Sequence, residues 1–93
     1  MNITWTNALN WWNTNDDLIN RIDRIMDGAC RNFCASDMPA LADKFLRPHF
    51  DGLDCSGNGV ISDDDFDIPD WSAAKRFLNN IADKAIDDIK DLV

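Results

Sequence analysis

Apolar residues recur at three- and four-residue spacing over most of this chain, and the interruptions mark where helices should begin and end. From about Asp16 to Phe33, Leu18, Ile19, Ile22, Ile25, Met26 and Ala29 share one face, with Arg21 and Arg24 off it. Thr14 or Asn15 can cap this helix, and Asp16 and Asp17 suit the positive end of its dipole. Gly28 is where it should break or bend. Ser36-Asp37-Met38-Pro39 is a second start signal, with a capping side chain and a proline in the first turn. Leu41, Ala42, Phe45 and Leu46 follow as an apolar face, and Pro48 predicts a kink or restart at Arg47. The strongest periodicity runs over 70–92. Trp71, Ala74, Phe77, Leu78, Ile81, Ala82, Ala85, Ile86, Ile89 and Leu92 form its stripe, and charged or amide side chains fill the other side. Such a stripe is more often core than docking surface. The pattern predicts a single all-α domain, 1–93, of three to four helices.

Residues 1–14 fit this rhythm poorly. Three of the four tryptophans lie here among asparagines and threonines, which are weak helix formers. Were the segment helical, Trp5, Leu9 and Trp12 would share a face. Two readings compete: an arm whose indoles cover the core, the commoner behaviour, or an apolar anchor for a partner or small ligand.

Between the second and third helices the apolar rhythm gives way to Asp54-Cys55-Ser56-Gly57-Asn58-Gly59-Val60-Ile61-Ser62-Asp63-Asp64-Asp65. Oxygen-bearing side chains alternate along it, Gly57 and Gly59 permit a tight wrap, and acids stand at both ends. A polar turn rich in Gly, Asn and Asp also bends a chain without any ion. Ahead of it, Leu46, Phe50 and Leu53 carry the rhythm of an entering helix.

This stretch resembles the calcium loop of the EF-hand family, and most of all the loops of calerythrins and sarcoplasmic calcium-binding proteins, some of which end in Asp-Phe as Asp65-Phe66 does. The likeness covers roughly 45–67. It implies Ca²⁺ as the ion, with Mg²⁺ as competitor, held by Asp54, Ser56, Asn58, the Val60 carbonyl, Ser62 (directly or through water) and Asp65. Two positions depart from the usual pattern. Ser56 stands for Asp or Asn, and Asp65, one methylene shorter than the usual Glu, can give one oxygen where Glu gives two. Phe66 would open an exiting helix that Pro69 cuts short. The resemblance also implies that Ile61 pairs with a companion loop. None is apparent in sequence, so the expected companions are a degenerate hand near 27–38, a second copy of the chain in a homodimer, or a protein target.

Composition narrows the role. Seventeen acidic against nine basic residues give a net charge of −8, which argues against nucleic acid and anionic membrane as partners. No apolar run is long enough to span a membrane and no secretion signal is evident, so Asn2-Ile3-Thr4 is read as an accidental glycosylation sequon. Three cysteines read as free thiols, and the cytoplasm is the expected compartment. Cys30, Cys34, Cys55 and His49 make a nominal zinc set without knuckle spacing. With one histidine and no activated nucleophile beside it, no enzyme is expected. The function implied is a calcium buffer or sensor. The alternatives are a constitutive helical interaction module and a dockerin-like cohesin ligand, although dockerins carry two loops and are secreted.

Overall fold

The computed structural model describes all residues, Met1–Val93. Its organising rod is α5 (Trp71–Leu92), capped by the Asp70 side chain on the Ala73 amide. Ala74, Leu78, Ile81, Ala82, Ala85, Ile86 and Ile89 of the expected stripe are buried, whereas Trp71 and Leu92 at its ends are exposed. α2 (Asp16–Gly28) lies against this rod through Leu18, Ile22 and Met26. Asn15, rather than Thr14, is its cap, accepting the Leu18 amide at 3.1 Å.

Of the two outcomes expected at Gly28, the helix breaks: α2 stops there and does not run on to Phe33. Cys30 turns into the left-handed region at φ 55° and donates to the Asp27 carbonyl at 3.0 Å, while Arg31 donates to Met26 at 2.8 Å. Those two reversed bonds form a Schellman stop, which satisfies carbonyls that the helix end would otherwise leave open.

A second rod is assembled from α3 (Met38–Leu41), a π segment (Ala42–Leu46) and α4 (Arg47–Leu53). α4 restarts at Arg47 with Pro48 in its first turn, as expected, but not by leaving helical geometry. Arg47 keeps helical angles (φ −55°, ψ −43°), and the hydrogen-bond ladder is widened just upstream instead. A π turn is a common way to seat a side chain or ring that a regular α turn cannot hold. Ala42, Phe45, Leu46 and Phe50 of this rod are buried against α5.

The N-terminal arm folds into β1 (Ile3–Thr4) and α1 (Trp5–Asn13), the Thr4 side chain capping the helix on the Asn7 amide. Trp12 is fully buried and its Nε1 donates to the Met38 carbonyl at 2.9 Å. The arm is therefore core, as expected of indoles, and its helix is held by packing in spite of poor propensity. Trp5 stands edge-on to Phe50 at 5.3 Å, with the Arg47 guanidinium 4.7 Å above its ring. The short β2 (Val60–Ile61) pairs antiparallel with β1, Ile3 opposite Ile61 and Thr4 opposite Val60. No helix is long and apolar enough to cross a membrane.

Candidate metal centre

Asp54 ends α4 and starts the loop, and it is the one buried charged residue, 9% exposed. Its carboxylate is held from the inside of the turn. Oδ1 accepts the Asn58 amide at 3.2 Å, and Oδ2 accepts the Gly59 amide at 2.6 Å. Its own carbonyl accepts the Gly57 amide at 3.2 Å. Gly57 and Gly59 reach φ 68° and 79°, the left-handed region where a β-carbon is costly, so the wrap around Asp54 depends on them. Asn58 Oδ1 accepts the Val60 amide at 3.3 Å, after which the chain straightens into β2.

Beyond the strand, the Ser62 carbonyl accepts the Asp65 and Phe66 amides at 3.2 and 3.1 Å, and its hydroxyl accepts the Asp64 amide at 3.1 Å. That is one helical turn. The exiting helix goes no further, because Ile68 is drawn into the core and Pro69 follows it. Phe66 instead packs edge-on to Phe77 of α5, 5.3 Å away.

Of the six ligand candidates, Asp54 and Asn58 are thus drawn together by main-chain amides. Val60 lies in the strand, Ser62 anchors the closing turn, and Ser56 and Asp65 are exposed without side-chain partners. No three His, Cys or Asp side chains gather into one group. The donor set along the loop is two carboxylates, an amide oxygen, two hydroxyls and a main-chain carbonyl. These are all hard oxygens, which suit calcium or magnesium and not a thiophilic ion. The nominal zinc set is dispersed. Cys30, Cys34 and Cys55 are exposed, Cys34 rests against Ser36 Oγ at 3.0 Å, and His49 Nε2 meets Asp88 Oδ2 at 2.6 Å.

Within the chain, Ile61 is met by β1, a companion not among those expected. Residues 27–38 contribute the end of α2, an extended stretch and a 3₁₀ turn (Ala35–Asp37), with no strand. Ile3 of the same chain pairs with Ile61 along one edge of β2. The Trp5 amide donates to the Gly59 carbonyl at 3.1 Å, and the Asp63 amide donates to Asn2 Oδ1 at 3.0 Å. The Met1 amino group pairs with the Asp63 carboxylate and donates to the Ile68 carbonyl at 2.7 Å. The hydrogen bond from that amino group holds the Asp63 carboxyl below its ordinary range. The only trace of this role in the sequence is the β-branched pair Ile3-Thr4, too short to carry a periodic signal.

Apart from the C-terminal Leu92 and Val93, the exposed large apolar side chains are Met1 and Trp71, and both line one open cleft with Trp11, Asn7, Asn10 and Thr14. The chain matches no family model, no curated protein and no solved structure.

Proposed function

We propose that this protein binds calcium through 54–65, as a buffer or sensor, with Asp54, Ser56, Asn58, Val60, Ser62 and Asp65 as the ligands. The observation that carries the reading is the Asp54 carboxylate, held at the head of the loop by the Asn58 and Gly59 amides. That placement leaves a buried carboxylate at the start of a segment rich in oxygen donors, inside a chain of net charge −8. A divalent ion there would neutralise carboxylates that otherwise repel one another, and would stabilise the folded state by mass action. With two ligand carboxylates the affinity is sensor-like or weaker, roughly micromolar or above. The exposed thiols suit a reducing compartment, and the cytoplasm is the proposed place of action.

Calorimetric titration with calcium tests this. Wild-type protein should bind one ion, and Asp54→Ala should abolish the binding. Unchanged binding in Asp54→Ala would refute the assignment.

A second reading, a constitutive interaction module, is favoured by one feature, the cleft between Trp11 and Trp71. Chelator separates the two. A sensor changes its exposed apolar surface and a structural ion site loses melting temperature, whereas an ion-free module does neither.

A further inference from the structure

The loop's environment points to a device that the proposed ligand set does not include. The Gly59 peptide group is gripped from both sides. Its N–H donates to Asp54 Oδ2 at 2.6 Å, and its carbonyl accepts the Trp5 amide at 3.1 Å. One residue on, Val60 lies opposite Thr4, so the strand pairing sets the orientation of the peptide whose carbonyl is the expected main-chain ligand. Farther along, the Asp63 amide donates to Asn2 Oδ1 at 3.0 Å. Contacts from four consecutive residues, 2–5, therefore span loop positions 59–63. On its other side the same segment runs directly into α1, which places Ala8 and Trp12 in the core.

We propose that Asn2-Ile3-Thr4-Trp5 is a positioning element for the cation loop, so that ion binding and docking of the N-terminal helix are thermodynamically linked. The inference rests on the calcium reading above and adds its regulation. An ion that fixes Asp54 also fixes the Gly59 peptide in the orientation that receives the Trp5 amide. A docked arm in turn holds Gly59 where its amide meets Asp54. Linkage is reciprocal, so whatever displaces the arm weakens the ion, and loss of the ion loosens the arm. In a one-loop protein the arm takes the place of the companion strand.

Trp5 offers a clean test because it is the first residue of α1, a position that proline tolerates. Thr4 before it is already extended (φ −83°, ψ 158°), as a pre-proline residue must be. Trp5→Pro and Trp5→Ala both remove the indole, and only the proline removes the N–H that Gly59 receives. In full-length protein titrated with calcium chloride, Trp5→Pro should bind about five- to tenfold more weakly than Trp5→Ala, the effect of one lost hydrogen bond. In wild type, which needs no substitution, calcium should slow hydrogen exchange at the Trp5 amide. Equal affinities in the two variants, or a Trp5 amide indifferent to calcium, would overturn the linkage and leave calcium binding standing. Absence of binding in wild type and Trp5→Ala alike would overturn both.

Discussion

Asp54 caps the turn that it would later share with an ion. Its two oxygens already receive the Asn58 and Gly59 amides, so the carboxylate is oriented before any ion arrives. Asp65 is the opposite case: exposed, unpaired and a methylene short of the usual closing residue. All seventeen acidic residues of the chain are aspartates. Asp65→Glu should supply the second oxygen and tighten calcium binding by about tenfold, read by calorimetry. Unchanged affinity would mean that the twelfth position does not reach the ion. A separate residue, Cys30, carries a conformational cost. It sits at φ 55° in a stop that glycine usually makes. Cys30→Gly should stabilise the protein by about 1 kcal/mol and raise the melting temperature by about 4–8 °C. Calorimetric melting checks it, and a lower melting temperature would contradict the account.

Helices in this chain were legible where one face is continuously apolar, and least legible where tertiary contacts overrule local preference. α5 follows its stripe from Ala74 to Ile89 because a two-sided pattern leaves only one face to bury. Pro48 marked where α4 begins, whereas the widened ladder over Ala42–Leu46 just before it carried no signal in sequence. α1 could not be read from propensity, since nothing in Asn7, Asn10 or Asn13 favours a helix. What holds it is the burial of Trp12 and the bond from its Nε1 to the Met38 carbonyl, 26 residues away in sequence. Trp12→Phe keeps an aromatic ring and removes the indole N–H, leaving that carbonyl with the Ala42 amide alone. It should cost about 1 kcal/mol in urea unfolding, the worth of one hydrogen bond to a carbonyl that keeps its main-chain donor. A cost near zero would mean that water replaces the indole.

Across the whole molecule, two segments far apart in sequence close one another. The turn around Asp54 was visible from its residue types, because Gly57 and Gly59 supply the left-handed conformations it needs. Its companion was not, because a two-residue strand carries almost no periodic signal and Ile3 reads equally well as a stray apolar residue. The pairing joins residues 3 and 61, so the arm, the loop and the core beneath them should respond together to an ion. Calcium at a hundred times its dissociation constant should therefore add about 2.7 kcal/mol to global stability, and chelator should reverse it. A melting temperature indifferent to both would leave the loop with no energetic role.

The most direct measurement is an NMR titration of the ¹⁵N-labelled chain with calcium, followed at the Gly59 amide, which lies 2.6 Å from Asp54 Oδ2. A saturable one-site shift of that resonance, present in wild type and absent in Asp54→Ala, is the result expected. A Gly59 resonance that stays in place through millimolar calcium would contradict the proposal that this loop holds the ion.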